Sequence, residues 1–268
     1  MTRSALAGRT VLAVFAHPDD ESLACGGTLA RLADEGVRVV VIVASHGERG
    51  AQTGPARDDA LGLTRAIEMR AAARALGVSD LIILDHPDGD LRWAHVSAFH
   101  ADLLLIIRRH SPAAVITFGE DGLYWHLDHV GVHERTTTAV RSLGADAPAL
   151  YYVTLKRGVM PDIVAMARSR GWTPPLKGFW SLEPEAFGIA AEEPTIVVDV
   201  ADWVQRKLAA IECHRTQLGW GHPFSQIDEV DARRLLGVEY FHRADIPTTN
   251  LPLLEGLSLE TRSRDHAL

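Results

Sequence analysis

Short apolar runs alternate with segments of helical periodicity along the first 155 residues of the chain. The apolar runs predict buried strands at residues 10–16, 37–44, 81–84, 113–118 and 149–154. The segments between them predict helices at residues 23–35, 58–76, 95–109 and 128–143. Strands and helices that alternate with short connections are typical of a parallel sheet with right-handed crossovers. The pattern therefore predicts an α/β fold with a mostly parallel sheet and helices on both of its faces.

The pattern is less regular after residue 156. Residues 158–193 contain four prolines, and we interpret this segment as an inserted lid. A surface excursion that only protects a sheet edge is the alternative. Further along the chain, residues 195–200 predict a strand and residues 203–217 an amphipathic helix, whereas the tail from Gly219 has no clear periodicity. We therefore predict one domain over residues 1–268, divided into a core at about 10–155, an insertion at about 158–193, and a closing strand and helix at about 195–217.

Composition and charge exclude several classes of protein. The formal net charge of -8 argues against nucleic acid as the main partner, because protein surfaces that bind nucleic acid are normally basic. The two cysteines, Cys25 and Cys213, are far apart and form no disulfide framework. No apolar run is long enough to span a bilayer, and the N-terminus lacks the apolar region of a signal peptide. We expect a cytoplasmic protein without a membrane span, and the sequence is compatible with a homo-oligomer.

A group of charged residues follows the first predicted strand, where the chain reads His-Pro-Asp-Asp-Glu at residues 17–21. Adjacent carboxylates resist joint ionisation and need positive charge nearby. No Lys or Arg lies between Thr10 and Ala30 to supply it. A divalent cation would supply it, and His together with Asp is a normal part of a zinc ligand set. The alternative is a polar loop in which an Asp or Ser22 only caps the next helix.

A second polar group follows the fourth predicted strand. His126 and His129 lie three residues apart at the start of a predicted helix, with Asp128 between them. Ligands of parallel α/β sheets bind beyond the carboxyl ends of the strands, so this group and the one at residues 17–21 should share one edge. Two imidazoles and a carboxylate are the ligand class of a catalytic zinc that keeps an open position. The remaining His and Asp side chains suit acid–base chemistry and the orientation of the ligands.

The motif AHPDD at residues 16–20, paired with HxDH at residues 126–129, resembles the LmbE-like (PIG-L) family of zinc-dependent N-deacetylases. The likeness covers residues 10–154 well and the remainder loosely. A further match to the family lies at Lys207, His214, Thr216 and Gln217. It implies a Rossmann-like fold and the removal of acetyl groups from N-acetylglucosamine conjugates. It also implies a bound zinc ion, or another divalent metal.

The resemblance assigns roles residue by residue. It implies His17, Asp20 and His129 as metal ligands, Asp19, His126, Asp128 and Tyr124 as catalytic residues, and Arg65, Glu48 and Asp88 as substrate-binding residues. In this assignment Asp19 is the general base towards the attacking water. His126 polarises the carbonyl group, Asp128 orients a histidine, and Tyr124 lies near the oxyanion.

The chain departs from the family pattern on both sides of the first histidine of HxDH. The family often has Gly before that histidine and Pro after it, whereas this chain has Trp125 and Leu127. We expect the bulky indole to wall off part of the pocket. This departure concerns the substrate rather than the metal chemistry.

The sequence therefore predicts a zinc hydrolase that removes an acetyl group from an N-acetylated amino sugar. One alternative keeps the same chemistry but acts on a thiol conjugate or another small amide. A nucleotide-binding Rossmann protein is a second alternative. The phosphate site of such a protein requires Gly-rich backbone after the first strand, whereas this chain has three acids there, at residues 19–21. A third is a non-catalytic protein with a structural metal, which would have four protein ligands and no open position.

Overall fold

The structure is a computed structural model that describes residues 4–50, 60–174, 176, 179–188, 194–218, 222–250 and 252–259. Within these residues, no helix combines the length and the apolar character that crossing a membrane requires.

The described residues form a seven-stranded sheet with the strand order β3-β2-β1-β4-β5-β7-β6. The strands are β1 (Thr10–Phe15), β2 (Arg38–Val43), β3 (Asp80–Ile83), β4 (Ala114–Phe118), β5 (Ala149–Thr154), β6 (Ile196–Asp199) and β7 (Val238–Arg243). The first five strands pair in parallel, as predicted, and β7 pairs antiparallel with both β5 and β6. The predicted fold class, a mostly parallel α/β sheet, is confirmed.

The longer helices form two packed groups around the sheet. The helices are α1 (Asp20–Asp34), α2 (Leu61–Leu76), α3 (Val96–His110), α4 (Gly122–Trp125), α5 (Leu127–Arg141), α6 (Val159–Ser169), α7 (Val204–Ile211), α8 (Arg215–Leu218) and α9 (Glu229–Leu236). α1, α2 and α7 contact one another, and α3 contacts α5. The predicted second helix began at residue 58, but residues 51–59 lie outside the described ranges. Its end is as predicted, because Gly77 follows α2 with a left-handed φ of 76°.

The C-terminal part of the chain differs from the prediction. The tail was expected to lack periodicity, yet it forms α9 and β7, and β7 lies between β5 and the predicted closing strand β6. The apolar alternation of β7 is interrupted because one of its buried positions holds a charged residue, Glu239. The single predicted helix at residues 203–217 is two helices, α7 and α8. The predicted insertion carries α6, while its residues 175, 177, 178 and 189–193 lie outside the described ranges. The division into core, insertion and closing elements stays a prediction.

The strand order places a switch point between β1 and β4. The chain runs outward from β1 to β2 and β3, and then returns to the other side of β1 to form β4 and β5. Ligands of open α/β sheets bind in the crevice beyond the carboxyl ends of the strands at such a point. The two strands are fixed there by the edge-to-face contact of Phe15 and Phe118 at 5.1 Å and by the Thr117 hydroxyl, which donates to Val14 O at 2.9 Å.

One close contact fixes α5, the helix that follows β4. A Cβ added to Gly131 would lie 2.6 Å from the Cα of Arg92 and 2.7 Å from its backbone nitrogen. We predict that Gly131→Ala lowers the free energy of unfolding by about 1–3 kcal/mol, since backbone cannot move aside cheaply. The overlap with the backbone of Arg92 therefore offsets the advantage of about 1 kcal/mol that Ala has over Gly in a helix. Thermal unfolding measures it, with Gly256→Ala as control, because a Cβ at Gly256 meets nothing within 4 Å. Equal melting temperatures for the two variants would contradict the prediction.

Candidate active site

The two polar groups predicted from the sequence meet beyond β1 and β4. His129 Nε2 lies 3.1 Å from Asp20 Oδ1, and His17 Nδ1 lies 3.5 Å from Asp20 Oδ2. All three side chains are buried. His17 and Asp20 follow β1, whereas His129 belongs to the first turn of α5 after β4. The Asp20 carboxylate therefore lies between two imidazoles that are more than 100 residues apart in sequence.

The hydrogen bonds of His129 leave one of its nitrogens free for a cation. Its Nδ1 lies 3.1 Å from the carbonyl oxygen of Gly122, which can only accept, so Nδ1 carries the proton. Its Nε2 is buried and makes no hydrogen bond to any described residue, although Asp20 is close. Donor atoms around a tetrahedral metal ion lie about 3.3 Å apart, since each is about 2.0–2.1 Å from the ion. The spacings of 3.1 and 3.5 Å fit that arrangement.

Two carboxylates orient His17 from its other side. His17 Nε2 lies 3.1 Å from Asp128 Oδ2 and 3.1 Å from Asp88 Oδ1, so Nε2 carries a proton, and Nδ1 faces Asp20. Burial lowers the pKa of His17, but its contacts with Asp128, Asp20 and Asp88 outweigh burial and raise it well above its usual value. Asp128 is itself held by the backbone N–H groups of Gly89 and Leu91, at 2.7 and 2.9 Å.

His17 is shared by two groups of side chains whose ligand atoms lie within 4.8 Å of one another. The first group comprises His17, His126 and His129, and the second comprises His17, Asp88 and Asp128. The first group offers nitrogen donors only, and the second offers nitrogen and oxygen donors; divalent metals accept both kinds. Three carboxylates, those of Asp20, Asp88 and Asp128, surround this one imidazole.

His126 lines the cavity beside His17 and His129. Its ring centroid is 5.0 Å from that of His17 and 4.6 Å from that of His129. Burial, followed by the charges of His129 and His17, lowers the pKa of His126 to about 4. The backbone N–H of Asp128 donates to His126 Nδ1 at 3.3 Å, which places the proton of the neutral ring on Nε2. At neutral pH the ring is therefore a hydrogen-bond donor rather than a cation.

Asp19 is held in a strained backbone conformation by Arg65. Its φ is 131°, a region that favours glycine, and its Oδ2 lies 3.1 Å from Arg65 Nη2. The buried guanidinium also donates to Pro18 O at 2.6 Å and to Gly47 O at 2.9 Å. Arg65 thus supplies the positive charge that the sequence around Asp19 lacks. Burial raises the pKa of Asp19 to about 6, because the raising effects of burial and Asp20 outweigh the lowering effect of Arg65.

The remaining predicted residues occupy different positions. Tyr124 lines the cavity with its ring 5.3 Å from that of His129, and burial raises its pKa well above the usual value, so its hydroxyl is protonated. Asp88 also lines the cavity. Glu48 is exposed and is not among the lining residues; its carboxylate accepts from the backbone N–H of Asp88 at 3.0 Å. The predicted roles of these residues towards substrate stay predictions.

Two buried ion pairs near the site carried no assigned role in the sequence analysis. His214 Nε2 lies 3.2 Å from Glu21 Oε1, while Glu21 Oε2 accepts from the backbone N–H of Asp19 at 3.2 Å. Lys207 Nζ lies 2.7 Å from Glu239 Oε1. The resemblance to the family in the second half of the chain included Lys207 and His214. Glu239 had no such signal, since it lies in the tail without clear periodicity.

The site opens into a cavity of about 580 Å³. Its polar end is formed by His17, Asp19, Asp20, Arg65, Asp88 and His126. Its other walls are largely apolar and include Met160, Ile163, Trp180, Phe187, Leu218 and Phe224. A cavity of this size holds a small organic molecule. Reactive groups at one end of such a cavity indicate an enzyme rather than a structural metal site.

Comparisons with known proteins give the family. Residues 12–140 match the family model described as PIG-L, GlcNAc-PI de-N-acetylase. A relative from Acidothermus cellulolyticus, named 1D-myo-inositol 2-acetamido-2-deoxy-alpha-D-glucopyranoside deacetylase, is 33% identical over 257 residues, which cover 87% of this chain and 88% of the relative. A relative of the same name from Actinosynnema mirum is 36% identical over 237 residues, which cover 78% of this chain and 80% of the relative.

Solved structures share the fold. The N,N'-diacetylchitobiose deacetylase from Pyrococcus horikoshii superposes with a TM-score of 0.61 at 23% identity, covering 88% of this chain and 84% of its own. The 4-carboxy-2-hydroxymuconate hydratase GalB from Pseudomonas putida superposes with a TM-score of 0.62 at 21% identity, covering 91% of this chain and 99% of its own. A deacetylase and a hydratase share this architecture, so the fold alone does not give the reaction.

The sequence relatives decide between these possibilities at the level of the family. They align over most of this chain at more than 30% identity and are named as deacetylases. The predicted resemblance and the predicted enzyme class, a hydrolase of amide bonds, are confirmed. The chain belongs to the LmbE-like (PIG-L) family of deacetylases.

Proposed function

We propose that this protein is a zinc-dependent hydrolase that removes the acetyl group from an N-acetylated amino sugar. The observation that carries the proposal is the Asp20 carboxylate, which lies between His17 and His129 and next to Asp19 at the polar end of the cavity. The names of the sequence relatives, which specify an acetamido sugar, support the class of substrate.

We assign the metal to His17 Nδ1, Asp20 and His129 Nε2. Asp20 contacts both histidines, whereas His126 has its Nδ1 occupied by the backbone of Asp128. Two imidazoles and one carboxylate are the ligands of many catalytic zinc sites and leave a position open. A zinc ion in such a site acts as a Lewis acid towards a carbonyl oxygen and lowers the pKa of water to about 7.

Asp19 is the general base of the proposed mechanism. A pKa of about 6 places this carboxyl close to neutral pH, where proton transfer in both directions is efficient. Arg65 anchors the carboxylate at 3.1 Å and holds the carbonyl group of Pro18, so the base has little freedom to rotate away. Asp19 takes a proton from the attacking water and returns it to the departing amine. His126, with a pKa of about 4, is neutral at pH 7 and is a poor source of that proton.

His126 and Tyr124 stabilise the carbonyl oxygen as it becomes negative. Neutral His126 carries its proton on Nε2 and lines the cavity beside His17. Tyr124 adds a protonated hydroxyl on the same side of the cavity. Asp128 and Asp88 hold His17 through its Nε2, which keeps Nδ1 directed towards Asp20. An amidase that acts on a thiol conjugate would use the same groups, and comparing acetate release between the two substrate types distinguishes them.

The general base gives the first prediction. Asp19→Asn should lower kcat by about 10²–10⁴, because the amide cannot accept the proton from water. Bound zinc, measured by elemental analysis, should stay near one per chain since Asp19 is not a ligand. Asp85→Asn is the matched control, an exposed acid that lies after β3 on the same edge of the sheet. Near-normal turnover with zinc bound would show that Asp19 is not the base.

The proposed metal ligands give the second prediction. His17→Ala and His129→Ala should each lose bound zinc, because removing one of three donors leaves an incomplete site. Losing a residue that only orients a metal ligand already costs about 10–100-fold in affinity. Elemental analysis after dialysis measures the loss. His46→Ala, whose imidazole pairs with Asp85 outside the cavity, should retain the metal. Full activity of the wild-type protein after exhaustive chelation would remove the metal from the mechanism.

His126, the proposed hydrogen-bond donor to the oxyanion, gives the third prediction. His126→Ala should lower kcat by about 10²–10³ with little change in KM, since the lost hydrogen bond acts mainly on the developing negative charge. Because the pKa of His126 is about 4, its ionisation should cause no loss of activity between pH 6 and 8. A pH–rate profile of wild type and variant tests this. If the variant removes a titration step within that range, then His126 titrates during catalysis and the assignment as a neutral donor is wrong.

A further inference from the structure

Trp125 occupies a backbone conformation that a bulky residue rarely adopts. Its φ is 64°, in the left-handed region that favours glycine. Its indole is 57% exposed, so the strain is not offset by burial in the core. The side chain nevertheless lines the cavity, next to His126 in the chain. A strained residue that contributes little packing but faces the active-site cavity points to a role towards a ligand.

Other apolar side chains line the same cavity as Trp125. Leu182, 41% exposed, also lines the cavity, so two large apolar side chains are open to solvent along this cavity. Farther along, Phe187 packs against Tyr124 with their rings 4.9 Å apart, and Trp180 contacts Phe224 at 5.3 Å. An exposed apolar surface that leads into a cavity marks a ligand-binding site.

The charged side chains on these walls are already paired. Lys207 and Glu239 bond to each other at 2.7 Å, and Glu239 also accepts from the backbone N–H groups of Gly27 and Thr28. Arg49, which lines the cavity as well, donates to Asp90 at 2.8 Å. A polyol with many hydroxyl groups would compete with these pairs for partners, because buried hydroxyls need hydrogen bonds. An apolar group needs none.

We propose that the cavity contains a binding site for an apolar group, alkyl or aryl, that the N-acetylated amino sugar carries on its anomeric oxygen. The site consists of Trp125, Leu182, Met160 and the aromatic wall of Trp180, Phe187 and Phe224. This inference rests on the proposed function and adds the class of the aglycone. It distinguishes this protein from the relatives named above, whose substrate carries an inositol.

The experiment compares N-acetylglucosaminides that differ only in the aglycone. Zinc-loaded protein is assayed for acetate release from the methyl, phenyl, octyl and myo-inositol glycosides. Each methylene group buried from water favours binding about fourfold, so even partial burial should raise kcat/KM for the octyl over the methyl glycoside by at least about tenfold. The inositol glycoside should be a poorer substrate than the octyl glycoside. Equal or better turnover of the inositol glycoside would overturn the proposal.

Two pairs of variants locate the preference. Trp125→Gly suits the observed φ and removes the indole, and its control Trp93→Gly removes an indole that is 65% exposed outside the cavity. Met160→Gln puts an amide into the wall, and its control Met166→Gln changes a half-buried methionine on the same helix that does not line the cavity. The octyl-to-methyl ratio should fall at least about fivefold in the cavity variants and stay unchanged in both controls. An unchanged ratio in Trp125→Gly and Met160→Gln would contradict the proposal.

Two further measurements separate this inference from the proposed function. N-octanoylglucosamine tests whether the apolar group belongs to the acyl side, and a preference for it over the octyl glycoside would overturn the assignment to the aglycone. Binding of octyl glucosaminide, the amine product, is measured by calorimetry and needs no turnover. Tight binding that Trp125→Gly weakens would support the apolar site even if no acetate were released, a result that would count against the proposed reaction alone. Binding no tighter than that of methyl glucosaminide would overturn the apolar site.

Discussion

The site depends on the contact between the first residue of α1 and the first turn of α5, where Asp20 lies 3.1 Å from His129. This contact exists because β1 and β4 are neighbouring parallel strands, so their carboxyl ends finish side by side although about 100 residues separate them. α1 begins a few residues after β1, and α5 begins after the short helix α4 that follows β4. Two short loops are thereby enough to bring imidazole and carboxylate donors around one point.

Bringing these acids together has a cost that the fold offsets in several ways. Asp19, Asp20, Asp88 and Asp128 lie close to one another, and buried like charges resist joint ionisation. Arg65 reaches across from α2 to Asp19, and the backbone N–H groups of residues 89 and 91 hold Asp128. A divalent cation would neutralise the remaining excess of negative charge around His17. The strained φ of Asp19 fits this arrangement, since strain of this kind persists at functional sites.

The cavity combines this polar end with a wall assembled from the C-terminal half of the chain. α6, α9 and the segments around Trp180 and Phe224 supply most of its apolar side chains. The polar end of the cavity therefore comes from the parallel core, whereas most of the apolar wall comes from the elements added around that core. A chitobiose deacetylase and a hydratase share this architecture, so the sheet by itself does not determine the reaction.

The sequence by itself determined the parallel core and the two polar groups, because hydrophobic periodicity and the AHPDD and HxDH motifs are local properties of the chain. Only the tertiary structure decided the partners at long range. Arg65 is the cation beside Asp19, yet nothing in the sequence around residue 19 indicates this pairing. The hydrophobic pattern did not predict β7, because Glu239 occupies a buried position of this strand. The ion pair with Lys207 compensates the charge of Glu239. Ionic partners and neighbouring strands depend on which distant segments pack together, and local patterns of polarity do not record that packing.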